Sequence, residues 1–174
     1  MFQMSGPMYD PEWVVPMREE LTAVGFQELL TPEEVDAVLG QQSGTTLVVI
    51  NSICGCAAGN ARPGVAMALQ HTVIPDRLVT AFAGQEREAV QRVREYLAPY
   101  PPSSPCIALF KEGTLVKMIE RKDIEGREAT AIAQELKAAF AQYCSRPGPS
   151  IPPEEFAQLA FVPQCGSTIP SFNP

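Results

Sequence analysis

The sequence predicts an α/β fold: a mixed sheet with central parallel strands, an antiparallel hairpin at one edge and helices on both faces. Two observations predict it. First, predicted strands alternate with predicted helices, which is the pattern of the crossover connections that join parallel strands. Second, residues 45–51 are β-branched or apolar until the last position, as expected for a central strand with two buried faces.

The N-terminal part of the chain predicts two short helices. Pro16 is expected to open the first, because proline suits the first turn of a helix, and Gly25 is expected to end it. Thr31 and Glu34 have the spacing of a capping box, in which each side chain bonds the backbone N–H of the other residue. They predict the start of the second helix, which ends at Gly40.

The elements that follow the first strand are predicted from the period of their apolar residues. A proline-rich loop spans residues 99–105, and Lys111, Glu112 and Gly113 are expected to form the turn of a hairpin. In chain order the pattern predicts a helix at 57–70 interrupted by Pro63 and Gly64, a strand at 77–83, a helix at 86–97, strands at 106–110 and 114–119, and a helix at 128–143.

Length and charge limit what the chain can do. Its 174 residues correspond to about one domain. The 13 Lys and Arg against 20 Asp and Glu give a net charge of −7, which argues against a dedicated nucleic-acid-binding protein. No segment approaches the ~18 apolar residues of a membrane span, and the N-terminus lacks the basic and apolar regions of an export signal. We therefore expect a cytoplasmic protein without a membrane partner.

Two regions of the chain differ in composition. Residues 1–144, which include the N-terminal helical segment, are expected to form the main domain. Residues 145–174 contain 7 of the 17 prolines and predict an extension with one short amphipathic helix. The extension also carries Phe156, Phe161 and Phe172, whereas disordered tails are usually poor in aromatic residues. We expect it to pack on its own domain or on a partner subunit, the latter in a homodimer.

The main candidate for chemistry is Cys54-Gly55-Cys56, which lies between the buried strand and a predicted helix. The thiolate is the reactive form of cysteine, and unpaired N–H groups at a helix N-terminus stabilise it. Cys54 is expected to be the attacking thiol and Cys56 the resolving thiol. Gly55 is expected to tolerate the unusual backbone angles that a Cys-x-Cys disulfide demands. Arg62, about two turns from Cys54, is expected at the solvated surface, with added positive potential at the thiols as the alternative.

Two other interpretations of the cysteine pair stay open: inert core residues, or half of a site for a soft metal such as Cu(I) or zinc. The single histidine, His71, is expected near a helix C-terminus, and no second close cysteine pair completes four ligands, so we expect no bound metal. Of the other cysteines, Cys106 is expected in the core. Cys144 and Cys165 either form a disulfide, within or between subunits, or remain reduced as is usual in the cytosol.

Ser104-Pro105 precedes the first strand of the predicted hairpin. Proline at the first position of a strand costs no ladder hydrogen bond, and a cis peptide bond there would build a turn. An ordinary trans proline that ends the loop is the alternative. The order of elements, with a proline before the hairpin, resembles the thioredoxin fold, in which a cis-proline faces the active cysteine.

The chain also resembles the bacilliredoxin family over about residues 8–144. The most specific block is Asn-Ser-Ile-Cys-Gly-Cys-Ala-Ala-Gly-Asn-Ala-Arg-Pro at residues 51–63, which contains the cysteine pair. Supporting roles are expected, in addition to Gly55 and Arg62, for Asn60, Ser104 and Pro105. The other matching stretches are Met8-Tyr9-Asp10, Tyr-Pro-Pro-Ser-Ser-Pro at residues 100–105 and Ile-Glu-Gly-Arg at residues 124–127.

The resemblance implies a thioredoxin-like protein that removes bacillithiol from mixed disulfides on cytosolic proteins. The attacking cysteine of the family falls on Cys54 and its second cysteine on Cys56. S-thiolated cytosolic proteins are then the partners, bacillithiol is the co-substrate, and no bound cofactor is expected. A general protein disulfide reductase or isomerase is a related activity. A soft-metal-binding module and a redox-insensitive interaction module remain as alternatives from other classes.

Overall fold

We describe residues 6–161 of a computed structural model of the chain. Its strands are β1 (Gln27–Glu28), β2 (Thr45–Asn51), β3 (Val73–Ile74), β4 (Arg77–Phe82), β5 (Cys106–Lys111), β6 (Thr114–Ile119) and β7 (Arg146–Pro147). Its α-helices are α1 (Pro11–Thr22), α2 (Pro32–Leu39), α3 (Arg62–Ala68), α4 (Arg87–Tyr96), α5 (Ala129–Tyr143) and α6 (Pro153–Ala157). A π-helical turn, Ala57–Ala61, precedes α3, and a 3₁₀ turn, Arg121–Asp123, follows β6.

The main sheet has five strands in the order β1-β4-β2-β5-β6. Strands β1, β4 and β2 are parallel, whereas β5 runs antiparallel to β2, and β6 runs antiparallel to β5. This order and these directions confirm the predicted thioredoxin-like fold. Glu112 and Gly113, with φ of 52° and 79°, form the predicted turn between β5 and β6, and such angles are those of the tight turns typical of hairpins.

The core lies on both faces of the sheet, because alternate side chains of β2 point in opposite directions. Leu47 and Val49 belong to one apolar cluster with residues of α1, α3 and α5. Val48 and Ile50 belong to a second cluster with residues of α2 and α4. All seven residues of β2 are buried, as predicted for a central strand, and its C-terminal end leads directly to the cysteine pair.

Helix α1 corrects the prediction that Pro16 opens the first helix. The helix begins at Pro11, where the carboxylate of Asp10 accepts a hydrogen bond of 2.9 Å from the backbone N–H of Glu12. Pro16 lies inside the helix and removes one backbone hydrogen bond there. The cap at Asp10 therefore decides the start of this helix.

Helix α2 begins and ends where the sequence predicts, but only half of its capping box forms. The N–H of Glu34 donates to Thr31 Oγ1 at 3.2 Å. The carboxylate of Glu34 accepts from the N–H of Leu30 at 2.6 Å, one residue before the predicted donor. The helix ends before Gly40.

Pro63 and Gly64 do not interrupt the helix that follows the cysteine pair. Pro63 lies in the first turn of α3, directly after the π-helical turn Ala57–Ala61, and the helix continues through it. A Cβ at Gly64 would lie 3.0 Å from the side chain of Ile132, so glycine lets α3 approach α5 closely. His71 lies just beyond α3, as predicted, and its N–H donates to the carbonyl of Ala68.

The described part of the extension contacts the main domain. Strand β7 pairs antiparallel with β3, and the N–H of Ser150 donates to the carbonyl of Leu69 at 2.9 Å. Four side chains pack against the core cluster that contains α3 and α5: Ile151, Phe156, Leu159 and Phe161. Phe172 and Cys165 lie outside the described residues, and the division of the chain at residue 144 stays a prediction.

Candidate active site

The cysteine pair lies at the junction between β2 and the helical segment that contains α3. Helical backbone begins at Gly55 and continues through the π-helical turn into α3. The carbonyl of Cys54 accepts hydrogen bonds of 3.1 Å from the N–H groups of Ala57 and Ala58. Cys54 therefore stands at the position before the first helical turn, where backbone N–H groups have no partner within the helix.

The two thiols are close to one another and free. Cys54 Sγ and Cys56 Sγ are 2.8 Å apart and hydrogen-bonded, whereas a disulfide bond measures about 2.05 Å. Both residues are half-buried. Gly55 is exposed, its φ lies outside the left-handed region, and a Cβ added to it would meet nothing within 4 Å. In this dithiol form the backbone thus does not show the unusual angles expected at Gly55.

The surroundings of Cys54 favour its thiolate. Burial acts in the opposite direction, because it disfavours the charged form. Hydrogen bonds from Cys56, from Ser52 and from the N–H of Ala57 outweigh burial, and the positive charge of Arg121 adds to them. Together they lower the pKa of the Cys54 thiol, which matches the attacking role predicted for it.

The surroundings of Cys56 have the opposite effect. Burial raises the pKa of Cys56, and its hydrogen bond to Cys54 and the negative charge of the Cys54 thiolate raise it further, to about 11. Cys56 is therefore protonated at neutral pH while Cys54 is free. The two thiols, two residues apart, differ in ionisation because only one of them accepts the hydrogen bonds.

Arg121 is a cation near both thiols that sequence reasoning missed. It follows β6 and is far from Cys54 along the chain, but its charge acts on both thiols. Its Nε donates to the carboxylate of Glu125 at 2.6 Å, and its side chain is 46% exposed. Only the fold, which brings the C-terminal ends of β2 and β6 to the same edge of the sheet with β5 between them, reveals this proximity.

Arg62 corrects the expectation of a solvated surface residue. Its side chain is 0% exposed and pairs with Glu20 of α1, at 3.0 Å from Nε to Oε1. It also donates to Asn51 Oδ1 and to the carbonyl of Ser52, at 3.0 and 2.8 Å. Ser52 Oγ in turn accepts from the N–H of Cys54 at 3.1 Å. Arg62 thus fixes the segment that carries Cys54.

The peptide bond between Ser104 and Pro105 is cis, as in the first of the two alternatives. Cys106, the next residue, pairs with Ile50 of β2, so Ser104 and Pro105 lie beside the end of β2, which leads to the cysteine pair. Cys106 is buried, as predicted, and burial raises the pKa of its thiol to about 12. Asn60 points elsewhere: its side-chain amide donates to the carbonyl of Arg127.

A groove of about 690 Å³ opens beside Cys54. Ser104 and the two arginines Arg94 and Arg121 line it together with Cys54, and Tyr9 of the N-terminal segment lies along it. Sequence reasoning missed Arg94, which lies in the last turn of α4. Among residues 6–161, no group of three or more His, Cys, Asp or Glu side chains is arranged to hold a metal ion.

Comparison with known proteins identifies the family of the chain. A family model described as disulphide isomerase matches residues 9–144. A bacilliredoxin of Halalkalibacterium halodurans is 57% identical over 136 residues, which cover 78% of this chain and 94% of the relative. The chain belongs to the bacilliredoxin family. Membership of the bacilliredoxin family, together with the fold, makes it a thiol-disulfide oxidoreductase.

A second bacilliredoxin, from Salinibacter ruber, is 52% identical over 165 residues, which cover 94% of this chain and 95% of the relative. This match covers nearly the whole chain, so it includes part of the extension at 145–174. Other bacilliredoxins therefore carry a related extension. Among solved structures, oxidised mitochondrial thioredoxin 3 of Saccharomyces cerevisiae matches at 15% identity and a TM-score of 0.46. It covers 70% of this chain and 98% of the thioredoxin.

No helix in the described part of this bacilliredoxin is long and apolar enough to cross a membrane.

Proposed function

We propose that this bacilliredoxin removes bacillithiol from mixed disulfides on cytosolic proteins, with Cys54 as the attacking thiol and Cys56 as the resolving thiol. The observation that supports the proposal is the difference in pKa between two thiols whose sulfurs are 2.8 Å apart. The pKa of Cys54 is lowered, whereas that of Cys56 is raised to about 11. The ionised form of Cys54 is thus favoured for attack, while Cys56 stays protonated and donates a hydrogen bond to it.

The first step is attack by the Cys54 thiolate on the bacillithiol sulfur of the mixed disulfide. The sulfur–sulfur bond breaks, its electron pair leaves with the sulfur of the substrate protein, and that sulfur takes up a proton. The substrate protein is then reduced, and Cys54 carries bacillithiol as a new mixed disulfide. No net oxidation occurs, because one disulfide has replaced another.

The second step uses Cys56, and the first step prepares it. Burial and the Cys54 thiolate together raise the pKa of Cys56, and once Cys54 is part of a mixed disulfide the contribution of its negative charge is lost. Cys56 loses its proton and attacks Cys54 Sγ, and bacillithiol leaves as a thiolate that is then protonated. The chain is left with a Cys54–Cys56 disulfide, which a small thiol or a dithiol reductant returns to the free thiols.

An intact-mass assay with a bacillithiol-modified test protein tests the proposal. The reduced wild-type chain should remove the modification and gain either one bacillithiol mass or a Cys54–Cys56 disulfide. Cys54→Ala should abolish removal, because no other thiol with a lowered pKa faces the groove in the described part of the chain. Cys56→Ala should accumulate the adduct on Cys54. Full activity of Cys54→Ala would overturn the assignment.

Protein disulfide reduction or isomerisation is a second candidate, which the description of the matching family model favours. The same two thiols would attack a disulfide between two protein cysteines. Scrambled ribonuclease as substrate separates the candidates. Regain of its activity without any release of bacillithiol from the test protein would favour the isomerase. Stoichiometric soft metal after purification under reductant, with no thiol exchange at all, would instead favour a metal-binding module.

A further inference from the structure

Arg94 has no role in the steps above, although it lines the same groove as Cys54. It is half-buried in the last turn of α4. Its Nε is buried without a hydrogen-bond partner, and no carboxylate of residues 6–161 forms an ion pair with it. A buried donor without a partner is uncommon in folded proteins, and a water molecule, an ion or a ligand can satisfy it.

The groove has a charge of its own. Apart from the Cys54 thiolate, the charged residues of the groove are Arg94 and Arg121, and no Asp or Glu side chain of residues 6–161 lines it. Arg121 is partly neutralised by Glu125, but each guanidinium has five N–H donors, so neither arginine has all of its donors occupied. The chain as a whole carries a net charge of −7, so a preference for anions here would have to come from these two residues.

We propose that this groove is a binding site for the carboxylate-bearing part of the small thiol, held by Arg94 and Arg121 next to Cys54. The inference rests on the proposed function and names what the groove selects. When the anionic part of the mixed disulfide binds there, the sulfur of the small thiol lies next to Cys54. The sulfur of the substrate protein lies farther away. The Cys54 thiolate then forms its bond with the small thiol, and the electron pair of the broken disulfide leaves with the protein sulfur.

Arginine is suited to this role because its planar guanidinium can donate two parallel hydrogen bonds to one carboxylate. The presence of an arginine at position 94 has a second explanation. Arg94 lies in the last turn of α4, and a cation is favourable at a helix C-terminus. That explanation predicts no preference among reagents that react with Cys54. The two explanations are therefore separated by measuring charge selectivity at Cys54.

The first test compares alkylation of Cys54 by anionic iodoacetate and neutral iodoacetamide, in the Cys56→Ala background so that one thiol of the pair is followed by mass. Both reagents react with the same thiolate, so their rate ratio is independent of the pKa of Cys54. The measured quantity is the rate with iodoacetate divided by the rate with iodoacetamide. We expect this ratio to be roughly three- to tenfold higher in the folded chain than in urea, as for a partly exposed contact between opposite charges. Salt at 0.5 M should reduce the difference.

Substitutions on α4 assign the effect to Arg94. Arg94→Gln should return the ratio most of the way to its value in urea, and Arg94→Lys, which keeps the charge, should preserve most of it. Arg92→Gln is the matched control, because Arg92 is on the same helix and pairs with Asp36 away from the groove. Equal ratios in the folded and urea-unfolded chain, or an elevated ratio that Arg94→Gln leaves unchanged, would overturn the inference.

The second test uses turnover. A test protein is modified with mercaptosuccinate, which is dianionic, or with mercaptoethanol, which is neutral. The wild-type chain should release mercaptosuccinate from the test protein faster than it releases mercaptoethanol. Arg94→Gln should reduce the difference between these two rates. Equal release of both adducts overturns the groove assignment and leaves the proposed function intact. No release of bacillithiol, mercaptosuccinate or mercaptoethanol overturns the proposed function, whereas the alkylation ratio still decides independently whether the groove selects anions.

Discussion

At the scale of single residues, the reactivity of Cys54 depends on hydrogen bonds that stabilise its thiolate. Cys56 and Ser52 supply two of them from side chains, and Ala57 supplies a third from the backbone. The sequence predicted the pair and its position before a helix, because strand and helix patterns are local. It could not predict Arg121, because the contact depends on how β6 is placed relative to β2.

Substitution of Ser52 tests this account of Cys54. Alkylation of Cys54 by iodoacetamide should rise with pH as the thiolate forms, with a midpoint below the pKa of an ordinary cysteine, because that pKa is lowered. Ser52→Ala removes a hydrogen bond to the thiolate and should move the midpoint to higher pH. At pH 7 the rate should fall roughly three- to tenfold, because hydrogen bonds to charged groups contribute about 1.5–3 kcal/mol when buried and less at this half-exposed site.

Ser52→Thr is the matched control, since threonine keeps the hydroxyl group. Its pH profile should stay close to that of the wild type. Ser52 Oγ also accepts from the N–H of Cys54, so circular dichroism and thermal unfolding should be recorded for both variants. A midpoint for Ser52→Ala that equals the wild-type value, in a folded protein, would show that the hydroxyl does not stabilise the thiolate.

At the scale of elements, Arg62 joins three parts of the fold. It belongs to α3, its ion-pair partner Glu20 belongs to α1, and its acceptors Asn51 and Ser52 end β2 or follow it. The sequence suggested a surface residue, because arginine is rarely buried and its partner lies on another helix. The longer helices and strands were predictable from their apolar period, whereas β1, β3 and β7 have two residues each and are too short to show one.

Removing one member of the buried pair should be costly. Arg62→Met removes the buried cation that pairs with the carboxylate of Glu20, and we expect a loss of about 3–5 kcal/mol in the free energy of unfolding. The double variant Arg62→Met/Glu20→Leu should lose less than the sum of the two single variants, because it leaves neither charge uncompensated. Urea unfolding of the four proteins gives the coupling energy.

Arg92→Met is the control for that cycle. Its partner Asp36 is 47% exposed, and an exposed ion pair contributes about 0–1 kcal/mol. A loss for Arg62→Met no larger than for Arg92→Met would show that the pair with Glu20 does not hold α1 and α3 together. If the pair also positions Cys54, the folded Arg62→Met variant should show a shifted pH profile for alkylation, which a purely structural role would leave unchanged.

At the scale of the whole molecule, the fold brings distant segments together around one junction. Strand β2 carries the cysteines to the edge of the core, β5 begins beside it with the cis-proline, and α4 and the end of β6 supply the arginines of the groove. The sequence predicted the positions of the cysteine pair and of Pro105, because these are local motifs, but it left the isomer of the Ser104–Pro105 bond open. The positive charge of the groove arises only when the chain is folded, so no sequence motif predicts it.

The extension makes a prediction that concerns the entire chain. Its described apolar residues pack on the same core cluster as α3 and α5, so the extension should stabilise the domain from within one chain. Phe156→Ala should lower the free energy of unfolding by about 1–2 kcal/mol, less than the ~3–5 kcal/mol typical of a fully buried phenylalanine, because Phe156 is only half-buried. Glu155→Ala, at an exposed neighbouring position, should change it by less than about 0.5 kcal/mol.

Protein concentration decides whether those contacts are made within one chain or supplied by a second copy. Folding that depends on a partner subunit is stabilised by raising the protein concentration, whereas folding within one chain is not. We expect the urea midpoint of the wild type and the loss caused by Phe156→Ala to be the same at 1 and 100 μM. A midpoint that rises with concentration in the wild type, but not in Phe156→Ala, would show that the extension binds a partner subunit, because only then does the phenylalanine contribute to association.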